Sequence, residues 1–351
     1  MKGSTMNKKT KVLVVDDSLF FRGVLTKKLA AFPNIEVLGY ARDAFEAKEK
    51  IPLLKPDVVT LDVEMPKLNG IEFLKQLIPE RPIPVVLVSS LNISVFDALA
   101  AGAVDFVKKP EGSRADSISS FIEELAAKIT IASSAKVPNG SKKPFPPSKP
   151  NAAPLNPTGA AKTIIIALGA STGGTEATIS VMKDLPEDTP GILIVQHMPQ
   201  GFTKMYAERL NRLCKMEVRE AVDGDIVQNG LALVAPGDYH MKLVKHGPNY
   251  VVKCFHAEKV SGHRPSVDVL FHSVAEVAKK NAVGIILTGM GRDGAQGLLH
   301  MRQQGAYTIG QSKDSCVVYG MPMVAKNIGA VCIEASDENI PVVLRRHLMS
   351  L

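Results

Sequence analysis

The chain has 351 residues, a length that fits two or three domains of roughly 100–200 residues each. With 45% apolar and 22% charged residues, the composition excludes a wholly disordered or fibrous chain. A net charge of +7 invites a polyanionic partner, but residues 1–131 and 163–351 each carry one excess positive charge, while residues 132–162 carry five lysines and no acid.

Short apolar runs alternate with amphipathic stretches along the first part of the chain. Residues 11–15 read as a strand, 18–31 as a helix, 36–40 as a strand and 45–53 as a helix. Residues 58–61, 84–88 and 105–107 complete a set of five strands. Such alternation predicts a doubly wound parallel sheet, here over residues 10–131. The apolar run Val12–Val15 ends at Asp16 and is too short for a signal-peptide core. No apolar stretch approaches the length of a membrane span, so a cytoplasmic protein without membrane insertion is expected.

Residues 132–162 contain seven prolines, four serines, two glycines and one aromatic. Such a segment buries too little apolar area to offset chain ordering, and reads as an extended, solvated linker. The α/β alternation then resumes over residues 163–351. Strands are expected at 163–168, 192–195, 231–235, 283–287 and 306–309, with helices at 202–214 and 266–280. Residues 242–244 and 250–255 look like an inserted hairpin around His246-Gly-Pro-Asn249. A C-terminal α/β domain with a mainly parallel sheet is therefore expected. Cys214, Cys254, Cys316 and Cys332 form no C-x-x-C pair, so they read as free thiols in a reducing compartment.

Chemistry-bearing residues of the first domain fall at strand ends. Asp16 and Asp17 follow the first strand, Asp62 the third, Ser89 the fourth, and Lys109-Pro110 the fifth. A single Asp after a strand is most often a turn or cap residue. In an open parallel sheet, however, the carboxyl ends of the strands line one crevice, so the whole set converges there. Three carboxylates held together need a cation, and hard oxygen donors suit Mg2+. Beside such an ion Asp62 is a plausible nucleophile towards phosphorus, with Lys109 to pair with phosphoryl oxygens and Ser89 to hydrogen-bond one of them. The set resembles the receiver domain of two-component response regulators. The resemblance implies that Asp16, Asp17 and Asp62 hold the metal and that Asp62 accepts the phosphoryl group. It makes Ser89 the switch hydroxyl and Phe106 the rotating aromatic.

In the second domain Gly169-Ala-Ser171-Thr-Gly173 fits G-x-S-x-G between a strand and a helix, a turn that exposes a serine oxygen beside free helix N–H groups. Alone the motif is weak, and small Gly/Ser turns more often bind phosphate or do nothing. A Walker loop is disfavoured because no lysine follows. A nucleophilic serine needs a base and an acid to orient it. His197 follows the second strand of this domain and Asp293 a later one. Alone, each is more often an ordinary loop or turn residue. His240, His256, His263 and His272 compete with His197 on pattern alone.

The order Ser…His…Asp differs from that of the common α/β-hydrolases. It resembles the catalytic domain of the chemotaxis protein-glutamate methylesterases, the CheB type. Gly169-Ala-Ser171-Thr-Gly-Gly174, Gln196-His197-Met-Pro199 and Thr288-Gly-Met290-Gly-Arg-Asp293-Gly294 carry the likeness, with Ala235–His240 and Ser261–Asp268 beside them. The resemblance implies a Ser171–His197–Asp293 triad needing no cofactor, with Thr172 and the Met290 N–H bordering the oxyanion site. It implies hydrolysis of glutamyl methyl esters, and deamidation of glutamines, on methylated chemoreceptor cytoplasmic domains. It also implies regulation by phosphotransfer to Asp62 from the chemotaxis histidine kinase. Two rival readings compete with this one. Gly289-Met-Gly-Arg-Asp-Gly294 spells a nicotinamide-type G-x-G-x-x-G, but Gln311 stands where the fingerprint wants a ribose-binding acid. A DNA-binding effector is opposed by the near-neutral second domain, so no nucleic-acid partner is expected.

Overall fold

The computed structural model describes residues 8–90, 94–110, 115–137 and 164–351. The chain divides into two compact units. Of the expected linker, residues 132–137 are described, and 138–162 lie outside the described residues.

The first unit runs β1 (Thr10–Val15), α1 (Leu19–Leu29), β2 (Ile35–Ala41), α2 (Ala44–Leu54), β3 (Val58–Asp62), α3 (Gly70–Glu80), β4 (Val85–Ser89), α4 (Ser94–Ala100), β5 (Asp105–Lys108) and α5 (Ala115–Ala132). Its five strands form one parallel sheet, ordered β2-β1-β3-β4-β5. Every residue of β3 and β4 is buried, which is why these strands read as unbroken apolar runs: helices cover both faces. Ser18, Asp43 and Asn69 each accept a backbone N–H at the start of α1, α2 and α3, satisfying donors a helix end leaves open. The fifth helix ends at Ala132, whose side chain is fully buried. It thus passes the expected boundary at 131/132 by one residue, because burial of Ile129 and Ala132 continues the helical face into the first linker position.

The second unit runs β6 (Ile165–Ala170), α6 (Gly174–Met182), β7 (Ile192–Gln196), α7 (Phe202–Leu213), β8 (Glu217–Glu220), β9 (Leu231–Val234), β10 (His240–His246), β11 (Asn249–Phe255), α8 (Val267–Val277), β12 (Ala282–Ile286), α9 (Ala295–Gln303), β13 (Tyr307–Gln311), α10 (Met321–Asn327), β14 (Ile333–Ala335) and α11 (Ile340–Leu348). Seven strands form a sheet ordered β14-β13-β12-β6-β7-β9-β8, with every pairing parallel. The β10–β11 pair is a separate antiparallel hairpin. Two strands were not expected from the sequence, β8 and β14. Both sit at sheet edges and are short; β8 is mostly polar and β14 has only three residues, so neither carries the apolar run that marks a central strand. Strand β6 lies between β7 and β12. The chain leaves β6 on one side and returns on the other, which opens a crevice at the carboxyl ends of these strands.

Candidate active site

Ser171 stands directly after β6. Its N–H donates to the Thr288 carbonyl at 3.0 Å, and Gly173 turns the chain into α6 with φ +76°, a conformation that favours glycine. Gly289 packs so closely that a Cβ there would stand 2.6 Å from the Ser171 Cβ. The Met290 backbone is thereby brought beside Ser171. Thr172 is buried and its carbonyl accepts the Thr288 hydroxyl at 3.0 Å, while the Met290 side chain is exposed.

The His197 N–H donates to the Ala170 carbonyl at 3.1 Å, which places it beside the residue preceding Ser171. Gln196 ties the two segments together, its amide donating to the carbonyls of Ser171 (2.9 Å) and His197 (3.3 Å). The His197 Nε2 lies 2.7 Å from Asp293 Oδ2. Its other ring nitrogen, Nδ1, is buried and has no hydrogen-bond partner.

Asp293 is held from four directions. Oδ1 accepts the Ser266 hydroxyl (2.7 Å) and the Asp268 N–H (3.1 Å), and Oδ2 accepts His197 Nε2 and the Val267 N–H (2.8 Å). These backbone donors belong to the first turn of α8, a natural seat for a carboxylate. Burial opposes ionisation, but the hydrogen bond and charge of His197, the Ser266 hydroxyl and the Val267 N–H outweigh it and hold the Asp293 carboxyl at about 2. Asp268 returns the exchange by accepting the Gly297 N–H of α9 at 2.7 Å. Burial raises its carboxyl above the usual range. Ser266 and Asp268 lie in a segment singled out by resemblance, yet no sequence spacing marks a helix cap as the anchor of a distant aspartate.

The structure separates the competing histidines. His240 is occupied at both ring nitrogens, by the Glu258 carbonyl (2.9 Å) and the Ser266 N–H (3.3 Å). His256 is exposed near Asp238, and His272 meets His300 across α8 and α9. His263 reaches the site, but stacks on the His197 ring. The nicotinamide rival loses its ribose position as well. Gln311 is fully buried, with its amide engaged by the Thr288 N–H and the Ser315 carbonyl.

In the first unit, Asp16, Asp17 and Asp62 each bring a carboxylate oxygen to within 4.8 Å of the others. Asp16 and Asp62 are buried and Asp17 is exposed. Lys109 Nζ lies 2.6 Å from Asp62 Oδ2 and 2.9 Å from Asp16 Oδ2. Burial is the largest influence on Asp62 and pushes its carboxyl up to about 6 against the pull of Lys109. Burial acts against the Lys109 charge too, yet Asp62 and Asp16 hold its ammonium above the usual lysine range. The Ser89 hydroxyl is fully buried without a hydrogen-bond partner. Phe106 is buried beneath the Lys128 ammonium, 5.2 Å from its ring centre.

A parallel sheet with a carboxylate–lysine pocket, followed by a second that gathers serine, histidine and aspartate in one crevice, defines a receiver-bearing α/β hydrolytic enzyme. The family model described as CheB methylesterase matches residues 166–344, and that of the response regulator receiver domain matches 12–118. A protein-glutamate methylesterase/protein-glutamine glutaminase 2 from Syntrophomonas wolfei is 54% identical over 327 residues, covering 92% of this chain and 93% of its own. The protein-glutamate methylesterase/protein-glutamine glutaminase of Escherichia coli O157:H7 is 47% identical and covers 94% of each chain. The crystal structure of the Thermotoga maritima CheB methylesterase catalytic domain matches with a TM-score of 0.52 at 34% identity, covering 53% of this chain and all of that one. The chain belongs to the CheB family of chemotaxis protein-glutamate methylesterases that carry a receiver domain.

Proposed function

We propose that this protein is a phosphorylation-regulated serine hydrolase that removes methyl groups from glutamyl esters on chemoreceptors and deamidates their glutamines. The observation that carries the reading is the His197–Asp293 contact at 2.7 Å, which leaves Nδ1 buried and partnerless on a residue whose backbone N–H donates to Ala170, the neighbour of Ser171. With Asp293 ionised, Nε2 carries the proton and Nδ1 is the acceptor. Ser171 Oγ attacks the glutamyl carbonyl while Nδ1 takes its proton. The tetrahedral oxyanion forms between Thr172 and the Met290 N–H. Collapse returns the proton to the leaving methoxide, methanol departs, and a glutamyl ester to Ser171 remains. Water, deprotonated by Nδ1, then releases the glutamate and restores the serine. A primary amide differs mainly in its leaving group, so the same groups release ammonia from glutamine.

Control resides in the first unit. Asp62 is the phosphoacceptor, and Asp16, Asp17 and Asp62 are the residues that would hold Mg2+. Bound there, the ion would neutralise charge on a transferring phosphoryl group. The close oxygen trio and the partnerless Ser89 hydroxyl support this fit. Lys109 leaves Asp16 and Asp62 to pair with the phosphoryl oxygens, and Ser89 donates to one of them. Phe106, buried in this unit, is the rotating aromatic of the switch. We assign a chemotaxis histidine kinase as the phosphodonor and the cytoplasm as the compartment. Among the described residues no helix is long and apolar enough to cross a membrane.

Methanol release from methylated receptor membranes tests the chemistry. Ser171→Ala is expected to abolish it, and substantial residual turnover would remove Ser171 as the nucleophile. Asp62→Asn is expected to keep basal turnover and lose stimulation by a small phosphodonor with Mg2+. Stimulation that survives intact would remove Asp62 from its role.

A further inference from the structure

His263 is the one competing histidine that reaches the catalytic base, and it does so with its face. Its ring lies parallel to that of His197, centroid to centroid 3.7 Å, with 10° between the planes. The backbone is built to present it. Val260 and His263 exchange backbone hydrogen bonds at 3.1 and 2.9 Å, and the two residues between them, Ser261 and Gly262, have φ of +53° and +84°. That is the two-residue hairpin turn with both central residues left-handed. The neighbouring Arg264 pins the turn to the protein, donating to Asp238 Oδ1 through Nε at 3.0 Å and to the Ala257 carbonyl. A left-handed non-glycine residue costs free energy, and here the strained turn delivers a single aromatic ring onto His197.

The His197 ring is hydrogen-bonded at one end only, through Nε2 to Asp293. Nothing hydrogen-bonded holds the Nδ1 end, the end that must meet Ser171 Oγ. A ring tethered at one nitrogen can swing, and a second ring laid flat against it removes that freedom. The stack also discriminates between charge states. Two neutral rings gain little from lying face to face, but a cation over a π face is attracted to it. His197 is neutral before attack and an imidazolium while the tetrahedral intermediate exists. The stack therefore favours the charged form over the neutral one, which is stabilisation felt in the transition state.

We propose that His263 is a positioning residue for the reaction: its π face fixes the plane of His197 and stabilises the imidazolium formed when Ser171 attacks. This inference rests on the triad reading above and deepens it. It requires an aromatic face at position 263 and no ring nitrogen.

The test compares His263→Leu, which fills the space without a π face, with His263→Phe, which keeps one. In the full-length protein two readouts are taken: the rate of Ser171 labelling by a fluorophosphonate, and kcat and KM for methanol release. His263→Leu is expected to lower labelling and kcat about tenfold with KM within about twofold, and His263→Phe to stay within about threefold of wild type. A His263→Leu enzyme as fast as wild type, or a His263→Phe enzyme as slow as His263→Leu, overturns the inference. Should His263→Leu fail to fold, His263→Phe decides alone: wild-type rates support the stack and a tenfold loss refutes it. Wild-type protein that does not label, or Ser171→Ala protein that does, overturns the triad and this inference together. Labelling without methanol release overturns only the substrate.

Discussion

Both units place a decisive carboxylate at the carboxyl edge of a parallel sheet, and the two carboxylates are treated in opposite ways. Asp62 is pushed up to about 6, whereas Asp293 is held at about 2. Both are nearly inaccessible to solvent, so burial alone does not separate them. The difference lies in the donors. Asp293 receives four hydrogen bonds, which fill the acceptor sites of a carboxylate. Asp62 receives one backbone N–H, from Glu64 at 3.1 Å, and the Lys109 ammonium, and faces the charge of Asp16. A carboxylate with every lone pair engaged makes a fixed orienting charge. One that keeps open lone pairs and a high energy when ionised is suited to attack an electrophile or take up a cation.

The comparison breaks most visibly at Asp293. Asp293→Asn replaces an acceptor with an amide that offers an N–H to His197 Nε2, and so moves the imidazole proton to Nδ1. Nδ1 then has no lone pair for the serine proton, and kcat is expected to fall by about 10^4-fold. Steady-state methanol release with circular dichroism as a fold check measures this; a loss under tenfold would show that Asp293 does not set the tautomer.

The pH dependence of stability sharpens the contrast, because the two shifts have opposite sign. Asp62 has a raised folded-state value, so between pH about 4 and about 6 the native state keeps a proton the unfolded chain has lost. Stability falls by about 3 kcal/mol as pH rises through that window. Asp62→Asn cannot titrate, so it is expected to gain about that much relative to wild type between pH 4 and pH 7. The Asp293 shift runs the other way. Its depressed value gives about 2 kcal/mol that is present above pH about 4 and lost as pH falls towards about 2. Calorimetric unfolding of wild type and Asp62→Asn across pH 4–7 checks the first sign, and a difference that does not change with pH would refute it.

The smallest effect is expected at Ser266. Ser266→Ala removes one of the four donors to Asp293 and the side-chain acceptor for the Val269 N–H at the start of α8. Two backbone donors and His197 remain, so a stability loss of about 1–2 kcal/mol and a fall in kcat of less than about tenfold are expected. Chemical denaturation and turnover measure both, and a loss of kcat as large as that of Asp293→Asn would make Ser266 the principal anchor.

Much of this was legible without coordinates. The five receiver strands and most strands of the second sheet follow from apolar runs, because a strand buried on both faces has almost no choice of residue. That Asp16, Asp62, Ser89 and Lys109 stand together at one edge was legible because parallel strands deliver their end residues there, and the placement of Ser171 and His197 for the same reason. Asp293 lies seven residues beyond the end of β12, and only its Gly-Met-Gly-Arg-Asp-Gly setting pointed to it. Edge strands β8 and β14 were missed, since an edge strand is specified by hydrogen bonds to its neighbour rather than by its own apolar pattern.

What the sequence determined by itself was the order of modules, the charge-rich segment between them and which residue types stand at strand ends. These depend on local composition and on a periodicity that one segment carries alone. Only the tertiary structure decided which histidine meets Asp293, through which ring nitrogen it does so, what holds Asp293 and that His263 lies on the His197 ring. Each of those is a meeting between segments tens of residues apart: His197 with Asp293, Ser266 with Asp293, His263 with His197. Their free energies are set by distances and directions in space, and no single stretch of sequence encodes a distance to another.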